Sequence, residues 1–77
     1  MNRLTEEVRR ARRLPPPPMA RAIRESAGVS QSRLAEALGV HRVTCTRWEL
    51  GTRSPRGALR LAYAEILEEL QREVLAS

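Results

Sequence analysis

The chain has 77 residues, of which 42% are hydrophobic, and Trp48 and Tyr63 are its only aromatic side chains. A chain of this length forms at most one domain, with an aliphatic core and little room for a deep substrate pocket. All 14 basic residues are arginine, and the formal net charge is +5. Arg and Glu balance to +3 over residues 1–14, +4 over 15–57 and −2 over 58–77. This asymmetry points to a polyanionic partner, usually a nucleic acid.

Several classes of function lack the residues they need. The chain has no Gly-rich phosphate loop and no nucleophile–base set, so we expect neither an enzyme nor a bound cofactor or small-molecule substrate. His41 and Cys45 have the spacing of two metal ligands, but they are the only His and Cys, so no metal site is expected. A single cysteine and the lack of a signal peptide or long apolar run predict a soluble, cytoplasmic chain with no membrane contact.

The N-terminal part is predicted to be a basic helix followed by a rigid spacer. Thr5 is expected to cap a helix at residues 4–13, and four prolines at 15–18 end it. The prolines suit a stiff hinge better than a ligand for a proline-binding module. Residues 1–18 are therefore expected to form an extension of a domain at 19–77. The thin apolar stripe of the helix consists of Leu4, Val8 and Ala11.

Four further helices are predicted at residues 18–27, 31–38, 41–50 and from about 56 to 75. Ser30 is placed to cap the helix at 31–38. The glycines placed to end three of these helices are Gly28, Gly39 and Gly51. The inward residues expected in helix 18–27 are Met19, Ala22, Ile23 and Ala27. The apolar residues at helical spacing in the last helix are Leu59, Ala62, Tyr63, Ile66, Leu67, Leu70 and Val74.

Residues 28–55 have the pattern of a helix-turn-helix. Ala35 lets the second helix approach closely, and Gly39 takes a backbone angle in the turn that other residues resist. The apolar residues that join the two helices are Leu34, Leu38, Val40, Cys45 and Trp48. In such a pair the second helix, here residues 41–50, enters the major groove of DNA.

With this pattern the sequence resembles the Cro/repressor (Xre-type) helix-turn-helix domains of phages and bacteria, over residues 19 to about 67. The matching residues are Arg24, Ser30, Gln31, Leu34, Ala35, Leu38, Gly39, Val40, Trp48, Glu49, Gly51 and Pro55. The resemblance implies an all-α, five-helix bundle of the lambda-repressor-like type, here with an extra N-terminal helix and a long C-terminal helix. It also implies a sequence-specific transcriptional regulator, Cro-like or repressor-like, that blocks a promoter in a bacterial cell or a phage-infected host.

The side chains that face DNA follow from a helical turn of about 100° per residue. Cys45 and Trp48 mark the buried side of helix 41–50. The base-reading candidates on the opposite side are Arg42, Val43, Thr46 and Arg47. The candidates for contacts with the DNA backbone are Gln31, Thr44, His41, Arg53 and Arg56, with the phosphate contact of Gln31 implied by the resemblance. His41 is also placed to cap its helix.

Other residues are given structural or open roles. The resemblance implies a structural ion pair between Arg24 and Glu49. We also expect Trp48, Ala35 and Gly39 to hold the helix-turn-helix together and not to contact DNA. The basic helix either grips the DNA backbone or is a solvated surface, and its auxiliary candidates are Arg9, Arg10, Arg12 and Arg13. The last helix has two apolar faces, and we expect it both to complete the core and to form a homodimer on a palindromic or pseudo-palindromic operator; the alternative is that it binds a protein as in an antitoxin or interaction module.

Overall fold

The computed structural model describes the backbone of residues 2–77 and the side chains of residues 2–9 and 13–77. The helices are α1 Arg3–Arg12, α2 Pro17–Ser26, α3 Gln31–Leu38, α4 Arg42–Leu50 and α5 Gly57–Ala76. No strand occurs among the residues described. The all-α fold class is confirmed, and the N-terminal helix is the first of the five.

Local side-chain bonds set the starts of α3 and α4. The Ser30 Oγ atom accepts a hydrogen bond from the Arg33 amide at 3.0 Å, as expected for an N-cap. At the start of α4, the Nδ1 atom of His41 accepts from the Val43 amide at 3.1 Å. Both residues are extended, so each satisfies an amide that the first turn leaves without a helical partner.

Glycines in the left-handed region end the same two helices. Gly39 has φ 69° and Gly51 has φ 76°. After α3, the amide of Val40 reaches back to the Ala35 carbonyl at 3.0 Å, which closes the turn. A Cβ atom on Gly39 would meet nothing within 4 Å, so its backbone angle, rather than lack of space, favours glycine there.

The prediction that Thr5 caps α1 is wrong, because Asn2 does so. The Asn2 Oδ1 atom accepts from the Thr5 amide at 2.8 Å and from the Thr5 hydroxyl at 3.0 Å, so α1 begins earlier than expected. The apolar stripe that was expected to pack α1 on the body is largely exposed to solvent: Leu4 is 67% and Val8 45% exposed. The Ala11 side chain lies outside the described residues. α1 nevertheless packs against α5.

The prediction for the inward face of α2 was partly wrong. Met19 is 54% exposed and Ala22 is also exposed, whereas Ala20 and Arg24 are buried. The buried face of α2 therefore lies on the side of Ala20 and Arg24, part of a helical turn away from the predicted face. The spacing of apolar residues did not predict this face, because it places an arginine on the exposed side.

The core lies where α2, α3, α4 and α5 meet. Its buried residues are Ala20, Leu34, Ala35, Leu38, Cys45, Trp48, Tyr63 and Leu67. The rings of Trp48 and Tyr63 have centroids 5.0 Å apart and are tilted by 35°, which joins α4 to α5. Pro55 is also buried and fixes the loop between these helices to the body of the domain.

α5 has a buried part and a more exposed end. Tyr63, Ala64 and Leu67 are its buried residues, while Leu59 near its start is 38% exposed and Leu75 near its end is 79% exposed. Within the part of the chain that is described, none of the helices combines the length and apolar character needed to cross a bilayer.

Candidate nucleic-acid interface

The helix-turn-helix places one edge of α4 on the surface. α3 packs directly on α4, with Ala35 buried between them and Cys45 fully buried beneath α4. On the opposite side, Arg42, Val43 and Arg47 are exposed, with Val43 at 46%. We call these three residues the outer edge of α4. Two arginines beside a valine combine hydrogen-bond donors with an apolar contact surface.

The other two residues of α4 that were expected to contact DNA are less exposed to solvent. Thr44 and Thr46 are both half-buried. The structure therefore brings three of the four base-reading candidates together on the outer edge of α4 and places Thr46 beside them, nearer to α3.

A buried ion pair holds α4 against α2. The Nε and Nη2 atoms of Arg24 donate to the two carboxylate oxygens of Glu49 at 2.6 and 2.9 Å. The side chains are only 9% and 1% exposed, and Arg24 also donates to the Val29 carbonyl at 2.8 Å. Each charged group has a partner, as buried charges require. The ion pair expected from the family resemblance is present.

The pair shifts the pKa of both groups toward their charged forms. The hydrogen bond to Glu49 raises the pKa of Arg24, against the opposing effect of burial. Burial alone would raise the pKa of Glu49, but the hydrogen bonds from Arg24 and Gln31, together with the positive charges of Arg24 and Arg21, outweigh it and lower that pKa. Both groups therefore stay ionised at neutral pH, and the contact between α2 and α4 does not switch near pH 7.

Gln31 extends this polar network to the surface of α4. Its Nε2 atom donates to Glu49 at 3.0 Å, and its Oε1 atom accepts from the Thr46 hydroxyl at 2.9 Å. Neither bond could be predicted from the sequence, because contacts between residues 15 or 18 positions apart depend on how α3 crosses α4. The sequence signal closest to them is that Gln31 and Glu49 both belong to the family pattern. Gln31 is half-buried at the first position of α3, where the helix presents its N-terminal amides.

His41 stands at the start of α4 and is exposed. Since Nδ1 accepts the Val43 amide, the neutral ring carries its proton on Nε2. The residue therefore caps the helix, as expected, while the other ring nitrogen is a donor at the same end as Arg42.

A basic depression lies between the end of α4 and the start of α5. Its lining includes Arg47, Arg53 and Arg56, together with Thr44. The Thr52 hydroxyl donates to the Arg47 carbonyl at 3.3 Å and helps to hold the loop. No acidic side chain is found among the described residues that line this α4–α5 depression. Arg53 and Arg56 on this concave surface suit the approach of a phosphate group, and Arg47 joins the depression to the outer edge of α4.

The basic residues of α1 lie elsewhere, as far as they are described. Arg9 forms an exposed ion pair with Glu6 at 3.9 Å. Arg13 lines a separate depression between α2 and α5, together with Glu68. The side chains of Arg10 and Arg12 lie outside the described residues. None of the described α1 residues lines the α4–α5 depression.

Two further arginines of the body form exposed ion pairs within their own helices. Arg21 pairs with Glu25 and Arg33 with Glu36, both at 3.5 Å. Such pairs contribute little to stability and are typical of a solvated surface.

Comparison with known families agrees with this geometry. The family described as Helix-turn-helix matches residues 21–72, about two thirds of the chain. No curated protein and no solved structure gave a match. The matched span contains α3, the turn at Gly39, α4 and the ion pair of Arg24 with Glu49. The chain therefore belongs to the Cro/repressor (Xre-type) helix-turn-helix family of DNA-binding transcription regulators.

Proposed function

We propose that this protein is a repressor that recognises a specific double-stranded operator overlapping a promoter and blocks that promoter. The observation that carries the proposal is the outer edge of α4. Arg42, Val43 and Arg47 are exposed on one side of a helix whose other side is locked into the core. The rigid setting matters because base readout depends on side chains held at fixed positions over the groove.

The outer edge of α4 has the chemistry of direct base readout. An α-helix fits the major groove, and residues near its N-terminus reach furthest into it. Arg42 and Arg47 each offer two parallel donors for the O6 and N7 atoms of guanine, a contact that discriminates by roughly 1–3 kcal/mol. Val43 between them suits a thymine methyl group. Thr46, at the inner margin of this edge, is the fourth candidate.

The proposed contacts with the DNA backbone lie on both sides of this outer edge. Gln31 and the N-terminal amides of α3 lie on one side, and Arg53 and Arg56 lie across the α4–α5 depression on the other. Thr44 and the Nε2 donor of His41 complete the set. These groups fix the register of α4 on the duplex and contribute affinity for any sequence.

The basic N-terminal helix is assigned an auxiliary role in this proposal. The proposal keeps an N-terminal extension at residues 1–18 and a DNA-binding domain at residues 19–77. Pro17 and Pro18 form the first turn of α2, so the spacer before that helix consists of Pro15 and Pro16. Neither Arg9 nor Arg13 lines the α4–α5 depression, and Arg13 lines the one between α2 and α5, so a DNA contact of theirs would add to the main footprint. Replacing both with Gln tests this part: an auxiliary contact predicts a lower salt slope with unchanged sequence preference, and a solvated surface predicts no change.

The proposed operator is two-fold or pseudo-two-fold, with one copy of the chain on each half-site. An apolar groove between α2 and the end of α5 supports a homodimer. Met19 is 54% and Leu75 79% exposed beside it, and Val74 lines its wall. Light scattering of the protein with and without an operator duplex tests the dimer. A single copy per duplex would contradict it.

A second candidate function is an antitoxin or interaction module that binds a protein through α5. It is favoured by a row of charged residues on α5, where Glu65, Glu68, Glu69 and Arg72 line a shallow depression. One measurement separates the two functions. A repressor selects a DNA sequence by itself, whereas an interaction module selects none unless its partner protein is present.

Selection from a random duplex library tests the proposed function. The protein is mixed with the library at low and at moderate salt, and the retained duplexes are sequenced. The proposal predicts an enriched motif that survives moderate salt, because base contacts are less sensitive to salt than phosphate contacts. Binding that disappears at moderate salt without any enriched motif would contradict it.

A further inference from the structure

The Thr46 hydroxyl is engaged inside the protein. It lies 2.9 Å from the Gln31 Oε1 atom and 3.2 Å from the Arg42 carbonyl oxygen, and both of these atoms can only accept. A hydroxyl has a single proton, so Thr46 uses it within the protein. Only its lone pairs and its methyl group remain for another molecule.

The Gln31 amide is fixed at both ends. Its oxygen accepts from Thr46, and its nitrogen donates to Glu49 at 3.0 Å. Glu49 is itself immobilised by two bonds from Arg24. An inverted amide would place its oxygen against the Glu49 carboxylate and its NH₂ group against the hydroxyl of Thr46, whose proton would then have only the Arg42 carbonyl to bind. One N–H of Gln31 remains for a further acceptor.

We propose that Thr46 is a positioning residue that aims the remaining N–H of Gln31 at a DNA phosphate, and that it does not read a base. This inference rests on the proposed function. It removes Thr46 from the base-reading set and leaves the outer edge of α4 as the reader. The hydrogen bond from Thr46 of α4 to Gln31 of α3 thereby orients the phosphate contact that α3 makes.

The proposed role has a distinctive signature in binding. Losing the Thr46 hydroxyl loosens a neutral donor on a phosphate, so affinity falls for every sequence by the same factor, roughly three- to tenfold. The salt slope stays constant, because no cationic side chain leaves the DNA. A base reader behaves differently, since its loss changes the preference at one operator position.

Two substitutions of Thr46 separate its groups. Thr46→Val keeps the methyl group and removes the hydroxyl, whereas Thr46→Ser keeps the hydroxyl and removes the methyl group. The proposal predicts the uniform loss for Thr46→Val and its rescue in the conservative variant Thr46→Ser. If Thr46 contacts a thymine methyl group, the order is reversed: Thr46→Ser alters the preference at one position and Thr46→Val does not.

A double-mutant cycle with Gln31→Ala closes the test. Because Thr46 acts through Gln31, Thr46→Val should change affinity by less than about twofold in the Gln31→Ala background. The full loss in both backgrounds would overturn the inference. In the free protein, Thr46→Val should also shift the NMR resonances of the Gln31 side-chain amide, and unchanged resonances would overturn it.

These outcomes are distinct from failure of the proposed function. If the unaltered protein selects no sequence, the proposed function fails and this inference fails with it. If the unaltered protein selects a motif but the cycle is additive, the inference alone is wrong and the repressor proposal stands.

Discussion

Neutralising Glu49 should destabilise the domain strongly, because its partner Arg24 is buried beside it. Glu49→Gln preserves the shape of the side chain but leaves the Arg24 guanidinium with no counter-charge at a site where the two side chains are 9% and 1% exposed. Breaking a buried pair from one side typically costs about 3–5 kcal/mol. We expect about 3 kcal/mol, because the new amide oxygen still accepts one hydrogen bond. For a domain of this size the loss corresponds to a fall in Tm of roughly 12–24 °C.

The matched control for this variant is Glu36→Gln. Glu36 pairs with Arg33 at 3.5 Å, but these side chains are 77% and 62% exposed. Its neutralisation should change the free energy of unfolding by less than about 0.5 kcal/mol. Thermal and urea unfolding followed by circular dichroism measure both variants. Equal Tm values for Glu49→Gln and Glu36→Gln would refute the role given to the buried pair.

The same pair makes stability depend on pH in a defined direction. The folded-state pKa of Glu49 lies below its ordinary value of 4.5, since its hydrogen bonds and the nearby arginine charges outweigh the effect of burial. Its contribution is therefore fully present above about pH 4.5 and is lost as the pH falls through the folded-state pKa. The difference in stability between the unaltered protein and Glu49→Gln should shrink below pH 4. A constant difference down to pH 2 would contradict this.

Three smaller predictions concern the turn and the core. Gly39→Ala should lower the free energy of unfolding in urea by about 1–2 kcal/mol, because Gly39 has φ 69°; an unchanged midpoint would contradict this. The Tyr63 hydroxyl is buried without a hydrogen-bond partner among the described residues, so Tyr63→Phe should leave Tm unchanged or raise it, and a fall of several degrees would contradict this. Burial raises the pKa of the fully buried Cys45 thiol, so alkylation at pH 8 should be much slower in native buffer than in denaturant; equal rates would contradict its burial.

Much of the helix-turn-helix could be predicted from the sequence because its boundaries are local. Ser30 and His41 cap the amides next to them, and Gly39 and Gly51 take backbone angles that few other residues adopt. Each of these signals acts within a few residues of the helix end it sets. The bounds of α3 and α4 therefore agree with the predicted ones to within one residue.

The remainder depends on contacts between distant parts of the chain. The family resemblance implies that Arg24 pairs with Glu49, 25 positions away, but hydropathy alone places an arginine outside and so gives the wrong inner face for α2. At α1, Asn2 and Thr5 are both plausible caps by residue type, and only the geometry selects Asn2. The bond between Gln31 and Thr46 likewise arises only once α3 and α4 have crossed.

The central claim is that the outer edge of α4, which includes Arg47, reads bases, while Arg53 and Arg56 of the α4–α5 depression hold the DNA backbone. Sequence preference and salt slope measured side by side for Arg47→Ala and Arg53→Ala test it most directly. Arg47→Ala should relax the preference at one operator position, with a discrimination of roughly 1–3 kcal/mol lost there. Arg53→Ala should weaken all sequences alike and lower the salt slope by about one. Identical behaviour of the two variants would contradict the division of roles.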